Sequence, residues 1–179
     1  MNCWKTISIE NQFGKEKLWM ISALISILYF IFHFVILSAI VPTTTYSDHG
    51  LLLLIIIFSI IPVHLLLHCI PIWLVGKKAT FGYRRNQWPY FYFSTKEAIP
   101  KQLLLLSISL PALTITGIAI ILSLFMPEIM HYLAIAAALN IGICVCDFLY
   151  LIQLKSAPRE AYIEEHSNGY HILCPKTKH

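Results

Sequence analysis

The sequence predicts an all-α polytopic membrane protein: four transmembrane helices with a cytoplasmic β-hairpin loop and a small cytoplasmic C-terminal hairpin. Three observations predict it. The 179 residues are 58% apolar and only 12% charged, outside the range of soluble globular domains. The apolar residues gather in four long stretches, and the cations gather on alternate connections between them. The whole chain, 1–179, reads as a single membrane domain.

The stretches are 18–41, 51–75, 103–126 and 129–154, each about 24 to 26 residues. A helix needs about 20 residues to cross about 30 Å of hydrocarbon. The first stretch is too long for a removable signal peptide and lacks a small-residue cleavage site, so it reads as a retained helix. The connection after it, with Pro42, three threonines and Gly50, has the composition of a turn. The central loop, 76–102, mixes basic and aromatic residues, with β-formers on both sides of Arg84, Arg85, Asn86 and Gln87. This predicts a hairpin at the membrane surface with Trp88, Tyr90, Phe91, Tyr92 and Phe93 at headgroup level, although an aromatic belt flanking a basic linker has the same composition. Pro127 and Glu128 make a connection so short that the third and fourth helices must be antiparallel neighbours. In the tail, 155–179, Asn168-Gly169 between two β-prone runs predicts a second hairpin, and whether it pairs with the central loop stays open.

All 13 Lys and Arg lie in the N-terminal segment (Lys5, Lys15, Lys17), the central loop or the tail. Cations beside helix ends mark the cytoplasmic side, so the chain is expected in the cell membrane as a multi-pass protein with both termini cytoplasmic. Orientation and contact with anionic membrane lipid account for the net charge of +4, and basic–aromatic interleaving beside a bilayer reads as interface anchoring, with no nucleic acid as partner. The five cysteines fall in helices or on the predicted cytoplasmic side and imply no disulfide framework.

Ionisable groups inside a membrane are costly and mark functional sites. His64 and His68 form HLLLH in the second helix, which sets both imidazoles on one face, the spacing by which a helix offers two nitrogens to one Zn²⁺. Two such histidines can equally bond to neighbouring carbonyls and hold helices together. Asp147 is the single acid within any stretch and needs a partner. Counted from the cytoplasmic ends, His68 and Asp147 both lie about 10 Å deep and His64 about 16 Å, so the depths allow one site. Asn140, two turns before Asp147, shares its face and is placed to act as a donor behind the ligands; Cys144 is an alternative ligand or a small packing residue. His33 reads as a packing residue, His131 as an interface residue, and His166, His171 and His179 as solvated. Pro62, Pro71 and Pro111 each free a carbonyl inside a span, which suits any intramembrane polar site.

MNCWKTI, IPVHLLLHCIPIWLVGKK, ALNIGICVCDFLYL and the AP…AYIEEH…GY tail together resemble the Putative zincin peptidase family of small bacterial membrane proteins, over essentially the whole chain. That family is distantly similar to site-2 intramembrane metalloproteases, whose HExxH and later Asp bind catalytic zinc. The resemblance implies that His64, His68 and Asp147 are metal ligands and that Asn140 matches an upstream Asn. It fails at one position. The Glu of HExxH, the general base toward the attacking water, is here Leu65, and Glu97, Glu128, Glu160, Glu164 and Glu165 all lie in loops or the tail. Three functions follow. The first is a zincin-like protein that keeps its metal but is a degenerate protease, a pseudoenzyme that binds a transmembrane or extended peptide segment. The second is an active intramembrane zinc metalloprotease with a substitute base such as Glu97. The third is a transport or immunity-type bundle in which Asp147 and a histidine form a proton-linked pair.

Overall fold

A computed structural model describes residues 2–41, 45–48, 50–83, 91–95, 97–166 and 169–174. A strand, β1 (Asn2–Ile7), and a short helix, α1 (Ile9–Phe13), precede the long helices α2 (Lys15–Ile40) and α3 (Gly50–Leu74). A hairpin of β2 (Ala79–Tyr83) and β3 (Phe91–Thr95) follows, then the two-residue strand β4 (Ile99–Pro100) and α4 (Lys101–Phe125). A 3-10 turn (Pro127–Ile129) leads to α5 (Met130–Ile143) and α6 (Val145–Lys155), and the tail forms β5 (Tyr162–His166) and β6 (Gly169–Cys174).

α2, α3 and α4 are each long and apolar enough to cross a bilayer, and α5 with α6 makes a fourth crossing if the bent pair is one span. Leu24, Phe32, Phe58, Leu113 and Phe125 point outward from these helices, as side chains facing lipid do. The chain is therefore a mostly helical, multi-pass membrane protein with small antiparallel sheets, the class that its hydrophobic stretches predict.

The fourth stretch differs from the single helix that 129–154 predicts: α5 and α6 meet at 46°. Its two halves are held by different contacts. Small residues bring α5 close to α2, where a Cβ on Gly142 would stand 3.0 Å from Ser26 Cβ and 3.1 Å from the Ser22 carbonyl oxygen. Ser26 Oγ donates across the same interface to the Ala138 carbonyl at 2.8 Å. The far end of α6 is held instead by α4, because the buried Lys101 ammonium donates to the carbonyls of Lys155 and Ala157. A cation on the last carbonyls of a helix also complements its dipole.

The strands form two sheets. β2 and β3 pair alone, with Phe81 opposite Phe93. The other sheet has the order β1-β6-β5-β4, all antiparallel, so the tail hairpin takes the end of the central loop on one side and the N-terminal strand on the other. Ile99, Ile163 and Ile172 lie in one cross-strand row of it and pack with Leu104, Ile72 and Leu154 at this end of the helices. At the end of α3, Gly76 takes φ 76° while its N–H bonds to the Trp73 carbonyl at 2.9 Å and that of Lys77 bonds to Ile72 at 3.1 Å, a left-handed stop that turns the chain into β2. Both predicted hairpins are present. Their tips, with Arg84, Arg85, Asn86, Gln87, Trp88, Tyr90, Ser167 and Asn168, lie outside the described residues, as does the Pro42 turn.

Candidate metal centre

His64 and His68 lie one turn apart on α3 and are 3% and 2% exposed. Each ring is fixed through Nδ1. His64 Nδ1 lies 3.0 Å from Oδ1 of Asn140 on α5, and His68 Nδ1 lies 2.9 Å from the Ser107 carbonyl oxygen on α4. A carbonyl oxygen only accepts, so His68 carries a proton on Nδ1. The Asn140 amide is oriented by its Nδ2, which donates to the Pro111 carbonyl at 3.1 Å, so Oδ1 is the atom turned to His64 and that ring is also protonated on Nδ1. In the neutral rings both Nε2 atoms are then bare lone pairs.

Those two lone pairs converge. Nε2 of His64 and of His68 are 3.0 Å apart, and each lies 3.4 Å from Oδ2 of Asp147. Asp147 sits in the first turn of α6, where the unpaired amides of a helix start favour a negative charge. The break after α5 is what gives α6 a start at this depth. Oδ2 is buried and has no hydrogen-bond partner among the described residues. Three acceptors that face one another with no donor between them call for a cation. Atoms bound at 2.0 to 2.2 Å to a tetrahedral zinc stand roughly 3.3 to 3.6 Å from one another. The two nitrogen–oxygen separations match that spacing and the nitrogen–nitrogen one is about 0.3 Å short of it; two nitrogens with one carboxylate oxygen are a zinc donor set, and this trio is the one group among the described residues whose ligand atoms gather so closely. The residues present fit a metal ion.

The surroundings separate the remaining predicted residues. Asn140 stands behind His64, as a partner of the ligand and not as a ligand. Cys144 Sγ is 3.9 Å from His64 Nδ1, beside the nitrogen that Asn140 holds. Leu65 is buried and offers no proton acceptor. Glu97 is 66% exposed, with Oε2 3.8 Å from Lys77 Nζ. Glu165 accepts from the Thr95 amide at 3.1 Å. His33 is a packing residue, bonded to Tyr29 and Ser123. His171 is half-buried against β1, with Nδ1 3.6 Å from Cys3 Sγ, in place of the solvated position that its tail location suggested. Two contributors were not read as such from the sequence, which set Phe93 at headgroup level, whereas the structure buries it, and passed over Ser107. Phe93 of β3 stacks on His68, centroids 4.7 Å apart and planes 17° from parallel, and Ser107 holds His68 twice, because its hydroxyl also donates to the His68 carbonyl. An aromatic in the central loop and a serine in a span carry no pattern that would single them out.

Fold and centre together define a multi-pass helical membrane protein with a buried His-His-Asp cluster of metal-binding form. The chain belongs to the family described as Putative zincin peptidase, whose model matches residues 57–162, well over half of it. The matched span holds His64, His68, Asn140 and Asp147 and is narrower than the resemblance, since it omits MNCWKTI and ends at the start of the tail hairpin. No curated protein and no solved structure matches the chain.

Proposed function

We propose that this protein holds a zinc ion within the membrane on His64, His68 and Asp147 and acts as a degenerate metalloprotease, binding a transmembrane or extended peptide segment with weak or no cleavage. One observation carries the metal: three lone-pair atoms, two fixed as acceptors by their tautomers, converge with no donor among them. A zinc ion there would supply Lewis-acid polarisation of a peptide carbonyl. The position at which HExxH carries its proton acceptor holds none here. Leu65 fills the base position, and Glu97, the nearest substitute in the sequence, faces solvent and Lys77. Loss of a positioned base forfeits about 10²- to 10⁴-fold in rate.

The orientation proposed is four crossings with both termini cytoplasmic. β1, β4, β5 and β6 share one sheet, so the chain is back on its starting side after α6, which supports counting α5 and α6 as one crossing. In the sequence every cation falls in the N-terminal segment, the central loop or the tail, the parts of the chain expected on that side.

Metal analysis of purified protein tests the reading. One zinc per chain is expected in the wild type and none in His64→Ala. Zinc well below one per chain, unchanged by the substitution, would overturn it.

A further inference from the structure

α4 contains Pro111, and its place four residues after Ser107 has a consequence for His68. In an α-helix the N–H of residue 111 would bond to the carbonyl of residue 107. Proline has no N–H, and its ring presses against that same carbonyl and tilts it away from the helix axis. The Ser107 carbonyl is the one that accepts from His68 Nδ1 at 2.9 Å. The Pro111 carbonyl in turn accepts from Asn140 Nδ2 at 3.1 Å, and Asn140 is the partner that orients His64. Pro111 is buried in this packing. One residue thus stands behind both rings.

We infer that Pro111 is a positioning residue of the centre: by withholding an N–H it leaves the Ser107 carbonyl to fix the Nδ1–H tautomer of His68, so that Nε2 is kept as a lone pair toward Asp147. Pro62 and Pro71 lie on α3 itself and free carbonyls of their own helix; Pro111 alone among the three frees one that a histidine of the cluster uses. The inference concerns the apo centre and rests on the proposed metal only for its effect on affinity.

The substitution Pro111→Ala restores an N–H at the position that competes for the Ser107 carbonyl. A merely structural proline and a positioning one then differ in sign. Alanine is much the better helix former, so thermal stability should hold or rise. The ¹⁵N shifts of His68 in labelled, metal-free full-length protein, recorded above the histidine titration range, should move from a pure Nδ1–H form toward a mixture of tautomers. Zinc affinity should fall about 10- to 100-fold, the range seen when the partner behind a ligating histidine is lost. Ser107→Ala is the control: it removes the hydroxyl bond to the His68 carbonyl and keeps the backbone acceptor, so the tautomer should stay as in the wild type. An unchanged His68 tautomer in Pro111→Ala overturns the inference, as does a tautomer shift of equal size in Ser107→Ala. A wild type that binds no zinc while Pro111→Ala still shifts the tautomer sinks the proposed function and leaves this inference standing.

Discussion

His33 and His68 both reach α4 from neighbouring helices, at Ser123 and Ser107, positions about 24 Å apart along its axis. Near the end of α2, Nδ1 of His33 lies 3.2 Å from the Tyr29 hydroxyl and Nε2 lies 3.3 Å from Ser123 Oγ. Ser123 Oγ donates to the Ala119 carbonyl at 2.7 Å, so it accepts from His33, and His33 in turn accepts from Tyr29. Every donor in that chain has an acceptor. Around His68 the count is unbalanced, since Nε2 of both rings and Oδ2 of Asp147 are all acceptors. The same residue type in the same bundle is helix glue at one end and part of the candidate cation site at the other. What separates them is whether the neighbours of each ring are hydroxyls, which can both give and take, or carbonyls, which can only take.

Three changes would break or sharpen this contrast. Leu65→Glu has the largest expected effect: a carboxylate beside His64 returns the missing base, and cleavage of a single-span test substrate should rise about 10²- to 10⁴-fold over wild type. The same acid placed beside His33, as Phe34→Glu, should yield none. Cleavage no faster than wild type in Leu65→Glu would mean that something other than the absent base limits the centre. Asn140→Leu comes next. It leaves all three ligands in place but removes the acceptor of His64 Nδ1, and zinc titration should show about 10- to 100-fold weaker binding. An unaltered affinity would remove Asn140 from the centre. The smallest effect belongs to the satisfied cluster: Ser123→Ala should cost about 0.6 kcal/mol of stability, the average for a side-chain hydrogen bond between helices in a membrane, with zinc content untouched. A drop in zinc there would show that the two clusters are coupled through α4.

The residues that determine the bundle were legible because lipid imposes long apolar runs, and the charge pattern survives any detail of packing. HLLLH and Asp147 were legible for the same reason, since an ionisable group stands out in a stretch that has few. The acceptors of the two Nδ1 protons were not. Ser107 contributes a backbone carbonyl, and every residue has one; only Pro111 hints at which carbonyl is free, and Pro62 and Pro71 give the same hint elsewhere. The bend between α5 and α6 was hidden because 129–154 is mostly apolar with no proline, and the contacts that Gly142 and Lys101 make across to other helices leave no pattern in it. β1 escaped because a six-residue strand has no pattern of its own until β6 is beside it.

That pairing sets an order on assembly. β1 is synthesised first, yet β6, its strand neighbour in the sheet, comes after all of the long helices. The N-terminal strand must therefore wait, unpaired at the membrane surface, until α2 to α6 are threaded and the tail hairpin has closed. A contact between the two ends of the sequence is slow to form because so much chain must be ordered before it can be made. Once made, it closes the sheet over one end of α3, α4 and α6, the helices that carry the two histidines, the acceptor of His68 and the aspartate. The centre is then complete only in a chain that has been threaded in full, so a stalled or truncated copy exposes no half-built metal site with its sheet in place.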